Sequence, residues 1–213
     1  MSKKSFFTAD WHIDHAKAIV YDERPFTDVD HMHRVLINNY NSTVPEDGLC
    51  YFLGDIGFSN KEVTKSIITQ LNGTKVCVLG NHDKNASAMY DVGFDVVLHG
   101  AVIYIANKRV TLSHCPLMGV FREDTTHMRG GGNGDNWHGE SKHRRYSFTD
   151  EGQYHLHGHI HTGPVCPDKP LRTNRQFDVG VPGNQYRPVS ISTVESWIVQ
   201  QDLKEQAENS EGK

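Results

Sequence analysis

A chain of 213 residues with 37% hydrophobic and 23% charged positions can bury one sizeable core and lacks the extremes that mark disorder. Its formal net charge of −4 gives no general electrostatic reason to hold nucleic acid or an anionic membrane, so neither is an expected stable partner. No apolar run approaches the roughly 20 residues of a membrane helix, and the N-terminus is too poor in apolar residues for a secretory signal.

Ser5 to Ala9 is a short apolar stretch entering Asp10-Trp11-His12, which predicts a strand that ends in a loop. Asp28 to Tyr40 places Val29, Met32, Leu36 and Tyr40 at helical spacing, with Thr27 or Asp28 as N-cap. Leu49 to Leu53 is a continuous apolar run stopped by Gly54-Asp55, the pattern of a strand buried on both faces. Ser59 to Leu71 repeats the helical signal through Val63, Ile67, Ile68 and Leu71. Lys75 to Leu79 is a second buried strand, stopped by Gly80-Asn81-His82-Asp83. Phe94 to Leu98, Ala101 to Ala106 and Val110 to Ser113 predict consecutive short strands, the last two turning at Asn107-Lys108. Tyr154 to His157 and Gln176 to Val181 are further strands. Ser192 to Glu195 has capping-box spacing, with Val194, Trp197, Ile198 and Gln201 following on one helical face.

Strand–helix alternation followed by a strand-rich half predicts two sheets packed together and covered by helices. One domain over residues 1–205 accounts for this pattern, and the polar, aperiodic residues 206–213 are expected to form a flexible tail. Residues 119–150 stand apart as a long Gly- and Arg-rich loop, and loops of that length are usually functional or disordered. A lid over a substrate is the expectation for it. The four cysteines, Cys50, Cys77, Cys115 and Cys166, contain no C-x-x-C pair, so zinc-ribbon and thioredoxin motifs are excluded and a reducing compartment fits best.

The anomaly is 14 histidines, and their positions matter more than their number. Asp10-Trp11-His12, Gly54-Asp55, Gly80 to Asp83, Ser113-His114 and His157 to His161 each follow an apolar strand-like run. Loops at one end of a sheet bring distant residues to one point. Asp-x-His and His-x-His, if extended, send both side chains to the same side. Carboxylate, imidazole and amide oxygen without thiolate suit borderline divalent ions, and so many ligands exceed the needs of one tetrahedral ion. Two ions about 3.5–4 Å apart can clamp both the attacking and the leaving oxygen of a phosphoryl transfer.

The ordered set D-x-H, G-D, G-N-H-D, H and G-H-x-H, from Asp10 to His161, resembles the calcineurin-like metallophosphoesterase superfamily. Asp22-Glu23-Arg24-Pro25-Phe26 and the stretch Asn184 to Ser190 are similar to a small single-domain branch of it, common in bacteria and tailed bacteriophages. The resemblance implies an α/β fold of the four-layer α/β/β/α sandwich type. It also implies two divalent ions, manganese first, with iron, zinc or nickel as alternatives. Asp10, His12, Asp55 and His161 would hold the first ion; Asp55 would bridge to the second, completed by Asn81, His114 and His159. Water or hydroxide between the ions would attack phosphorus, with His82 protonating the leaving oxygen and Asp83 orienting the His82 ring. The branch pattern is interrupted by Pro182-Gly183 and by the length of the 119–150 loop, both of which bear on the substrate.

Other residues read more plainly. His157 is expected to be a buried strand histidine, Asp14 and His15 a solvated loop, and Cys115 a packing residue. Lys142 to Arg145 reads as a solvated face or a phosphate contact, and a lid closing through Arg129, Arg144 or Arg145 makes these three the candidate substrate-binding residues. The expected substrate is a small phosphate ester, specifically a phosphodiester of a small or cyclic nucleotide. A leaving-group acid such as His82 helps most when the leaving group is a poor one. A phosphomonoesterase on protein or nucleotide, a nuclease and a non-catalytic scaffold of the same fold are the alternatives. The expected compartment is cytoplasm, that of the host if a bacteriophage carries the gene.

Overall fold

The first sheet grows from the apolar runs that the sequence stops with a glycine or an acid. In the computed structural model, which describes residues 4–57, 60–118, 145–163 and 175–211, these runs lie side by side. β1 (Ser5–Thr8), β2 (Leu49–Phe52), β3 (Thr74–Val78) and β4 (Val96–Leu98) are parallel, in the order β4-β3-β2-β1. A two-residue strand, β9 (Val189–Ser190), pairs antiparallel to β1 and is too short to leave a periodic signal in the sequence. α1 (Ala16–Tyr21), α2 (Val29–Thr43), α3 (Lys61–Ile68) and α4 (Ala86–Val92) fill the connections. Asp28 caps α2 by accepting from the His31 amide at 2.7 Å, and Asn60 caps α3.

The second sheet has the order β5-β6-β7-β8, formed by Ala101–Ile105, Lys108–Leu112, Tyr154–His157 and Gln176–Asp178. β5 and β6 are an antiparallel hairpin, whereas β6, β7 and β8 run parallel. The hairpin turns on Ala106-Asn107, one residue earlier than the sequence suggests, with both residues at positive φ (50° and 60°) as a two-residue type I′ turn requires. The strand expected over Gln176 to Val181 stops at Asp178, because Val181–Asn184 winds into a 3₁₀ turn carrying Pro182.

Two apolar cores hold these layers. Phe6, Cys50, Phe52 and Cys77 meet Met32, Leu36, Tyr40, Ile67, Ile68 and Met89 on the helix side of the first sheet. Phe7, Leu53 and Val78 share the other core with Val110, Leu112, Tyr154, Leu156 and Phe177 of the second sheet. Cys50 and Cys77 are therefore small buried hydrophobes. A last helix, α5 (Ile191–Glu211), inserts Val194, Trp197 and Ile198 into the shared core, where Trp197 lies edge-on to Tyr154 and Phe177. The fold is thus α/β with two mixed sheets and helices. No helix among the described residues is long and apolar enough to cross a membrane.

Two sequence expectations for α5 are corrected. Its helix runs through Glu211, beyond residue 205 where apolar periodicity ends, because Gln, Ala, Glu and Lys sustain a helix without a buried face. Its cap is Ser190 rather than Ser192: the Ser190 hydroxyl accepts from the Thr193 amide at 3.2 Å. Replacing Ser190 with alanine is therefore expected to cost about 1 kcal/mol in urea unfolding, against only a few tenths for Ser192→Ala. Equal losses would return the cap to the sequence assignment.

Candidate metal centre

Five chemical clusters follow the C-terminal ends of β1, β2, β3, β6 and β7, and the parallel pairings put the ends within each sheet side by side. Backbone bonds fasten the loops to one another. The Asp10 amide donates to the Gly54 carbonyl at 3.1 Å, His12 to Asp55 at 3.1 Å, and Gly158 to His114 at 2.9 Å. Loops distant in sequence are thereby locked in register before any side chain acts.

Their side chains converge in two groups. Asp10, His12, Asp55 and His161 bring their ligand atoms within 4.8 Å of one another. His12 Nε2 lies 3.0 Å from His161 Nε2, and His161 Nε2 lies 3.5 Å from Asp10 Oδ1. In the second group Asn81 Oδ1 is 2.9 Å from both His114 Nε2 and His159 Nδ1, which are 3.1 Å apart. Asp55 joins the groups, with Oδ2 3.9 Å from His12 Nε2 and Oδ1 3.4 Å from His114 Nε2. Imidazole nitrogens this close need a shared proton or a cation between them. Every candidate ligand from the sequence is therefore brought together, and the donor set of carboxylate, imidazole and amide oxygen fits a divalent cation. Cys115 also sits near His114 and His159, but burial, and then the Asp55 and Asp10 charges, raise its thiol. It packs in the core, as the sequence suggests.

The local backbone differs from expectation. Asp10, His12, Asp55, His159 and His161 all have positive φ, between 48° and 72°, so D-x-H and H-x-H are not extended. Alternate residues in the left-handed region swing their side chains inward, at a cost of roughly 1–2 kcal/mol each for a non-glycine residue. His159 and His161 consequently point to different groups. Close approach explains two glycines: a Cβ on Gly80 would collide with Asp55 Oδ1, and one on Gly158 with Asp10 Oδ2.

His82 stands on the rim. Its side chain is 43% exposed, its Nε2 is 3.9 Å from Asp55 Oδ2, and its amide donates to Asp55 Oδ1 at 3.0 Å. Asp83 has a task beyond the one its position next to His82 suggests. Its buried carboxylate accepts the amides of Asp55 and Ile56 at 3.0 Å each and of Gly80 at 2.8 Å, so it staples the loops after β2 and β3. His15 lies in the loop before α1, half-buried, with its ring centroid 5.6 Å from that of His12. His157 is a buried strand histidine, stacked on His155. Arg145 is exposed with its guanidinium 4.7 Å above the Tyr146 ring, while Arg129 and Arg144 lie outside the described residues. The sequence did not single out Asp22 as a site residue, although its Oδ1 is 2.9 Å from His161 Nδ1. The signal was the Asp22 to Phe26 stretch itself, noted only for its resemblance.

Without a cation the cluster stores protons. Burial presses His161 toward its neutral form, but Asp10 and then Asp22 overcome it and raise the ring to about 10. His114 is raised to about 9, with burial again opposed by Asp55 and then Asp10. Burial and then the neighbouring His161 charge lower His12 to about 3. Burial resists ionisation of Asp10 and Asp55 as well, yet the imidazolium partners hold both below the usual carboxylate range.

A divalent cation taken up here would have to displace protons from His114 and His161, so the affinity for Mn(II), used as a probe, should rise from pH 6.5 toward about 10, with proton release measured by calorimetry in buffers of different ionisation enthalpy. The Tm of metal-free protein should fall over the same window, because these raised imidazoles stabilise it fully below 6.5 and lose that contribution as pH climbs through about 9 to 10. A flat Tm would contradict the assignment. Asp83→Ala, which orphans three buried amides, should cost metal-free protein at least about 2 kcal/mol in urea unfolding. A loss near zero would remove the staple.

No family model matches the chain. It is 39% identical to an uncharacterized protein of Methanocaldococcus jannaschii over 84 residues, 38% of this chain and 48% of that protein, so the match spans about half of that relative. It is 29% identical to the gene 66 protein of Mycobacterium phage L5 over 199 residues, 83% of this chain and 86% of the phage protein. The gene 66 protein of Mycobacterium phage D29 is similar at 28% over 195 residues, with the same coverage of 83% and 86%. Among solved structures, a protein of unknown function from Aquifex aeolicus superposes with a TM-score of 0.66 at 23% identity, covering 92% of this chain and 100% of its own, which shows a shared fold.

Proposed function

We propose that the chain is a two-metal phosphoesterase with the four-layer α/β/β/α architecture, acting on a phosphodiester of a small or cyclic nucleotide. One observation carries the reading: a single carboxylate, Asp55, faces two histidine-rich groups, with the exposed His82 ring beside it. The two-sheet core and the motif order from Asp10 to His161 support it. Free, buried Cys50, Cys77 and Cys115 support a reducing cytoplasm. Manganese fits the oxygen- and nitrogen-rich donor set, with iron, zinc or nickel as alternatives.

Asp10, His12, Asp55 and His161, with Asn81, His114 and His159, would hold two divalent ions, whose positive charge would polarise a phosphoryl oxygen and acidify a water near neutral pH. The chain's own groups do the rest. Asp55 fixes the spacing of the two groups and, through the His82 amide, the position of the acid. The His82 ring is partly open to solvent beside Asp55, where it would hand its proton to a leaving oxygen. The buried Asp10 carboxylate is fixed by the His159 amide at 2.9 and 3.1 Å, which ties the two ligand turns together.

Manganese-loaded protein is expected to cleave bis-p-nitrophenyl phosphate and at least one cyclic nucleotide. His82→Ala should slow that reaction roughly 10²–10⁴-fold while bound manganese, measured by elemental analysis, stays constant. Turnover of monoesters alone would move the reading to a phosphomonoesterase. Two bound ions with no turnover of any ester would leave a binding scaffold.

A further inference from the structure

Asp22 and Arg24 belong to neither ligand group, yet both reach the first one. Asp22 follows α1, where its amide bonds to the Ala18 carbonyl at 3.1 Å and returns the chain toward the metal centre. Its Oδ1 takes His161 Nδ1 at 2.9 Å, the ring nitrogen opposite the one that faces His12. Its Oδ2 is gripped by Arg24 through Nε at 3.0 Å and Nη2 at 2.8 Å. The same guanidinium sends Nη1 to the Trp11 carbonyl and Nη2 to the Asp10 carbonyl, both at 3.1 Å. The Arg24 side chain is 0% exposed. A buried guanidinium is strongly unfavourable unless its donors are paired. Here one rigid plane of donors spans the D-x-H turn and the carboxylate behind His161.

We propose that Asp22 and Arg24 form a positioning unit that sets the affinity of the first metal position selectively, a proposal that rests on the two-metal reading above. An anionic partner on the far nitrogen makes an imidazole a stronger donor and fixes which nitrogen is left to bind. His161 has such a partner, whereas His114 in the second group places Nδ1 against the neutral Leu53 carbonyl at 2.8 Å. The asymmetry is geometric: the guanidinium fastens the carbonyls of Asp10 and Trp11 and the backing of His161 in one plane. Three of the four candidate ligands of the first position, Asp10, His12 and His161, thus depend on one cation fixed in the protein. Lysine cannot replace it, since a single ammonium cannot span a carboxylate and two carbonyls with the fork that arginine provides.

The test titrates Mn(II) into wild-type protein, Asp22→Asn and Arg24→Lys, following heat and the manganese electron paramagnetic resonance spectrum. Wild type is expected to take up two ions that couple magnetically. Asp22→Asn, nearly isosteric, should weaken one of the two by roughly 10–100-fold and leave the other unchanged. At intermediate manganese its spectrum should then show a single uncoupled ion. Arg24→Lys should shift affinity in the same direction; if it does not fold by circular dichroism, Asp22→Asn and Asp22→Ser decide. Equal weakening of both ions, or no change in either, overturns the positioning unit. Wild type that binds one ion overturns the two-metal reading instead. In that case the unit stands if Asp22→Asn still weakens that ion and falls if it does not.

Discussion

The Asp55 carboxylate is the constraint around which the rest of the centre is arranged, because its two oxygens face two different clusters. Such an oxygen pair works only if the carboxylate cannot rotate. Its backbone amide is held by Asp83, its Oδ1 accepts the His82 amide, and Gly80 leaves the space that Oδ1 occupies. The loops after β2 and β3 are therefore one mechanical unit. The loop after β1 joins it through the His12 amide on the Asp55 carbonyl.

Gathering buried carboxylates and imidazoles at one point opposes folding unless protons or cations neutralise them. The fold answers in two ways. Mutual ionisation raises His114 and His161 and holds Asp10 and Asp55 ionised, so charge is balanced locally. The backbone then accepts left-handed conformations at several of those same residues, a strain that persists only where neighbouring hydrogen bonds leave no alternative. The apolar cores on either face of the first sheet supply the rigidity that makes this tolerable. Strain, charge and parallel strand ends coincide at the site, and Arg24 fastens them where the D-x-H turn leaves β1.

Much of the fold was legible because it rests on long apolar signals. β1, β2 and β3 stand where apolar runs meet Gly or Asp, and α2, α3 and α5 follow helical spacing. Short elements were not legible. α1 has six residues with Ala18 alone buried, α4 has seven, and β9 has two, so none can show a period. Hairpin register slipped by one residue, since Ala106 at positive φ is a choice made by strand twist rather than by residue type.

The sequence by itself determined which donor atoms exist and in what order, because carboxylate, imidazole and amide are chemical properties of single residues. Only the tertiary structure decided what each one faces. Asp22 and His161 are 139 residues apart, and no local pattern encodes a hydrogen bond over that separation. The same holds for Asp83, whose bonds to the amides of the β2 loop no adjacency to His82 could have announced. Side-chain direction at Asp10, His12, His159 and His161 depends on φ, and φ there is set by contacts between loops of two sheets rather than by the residues' own preference.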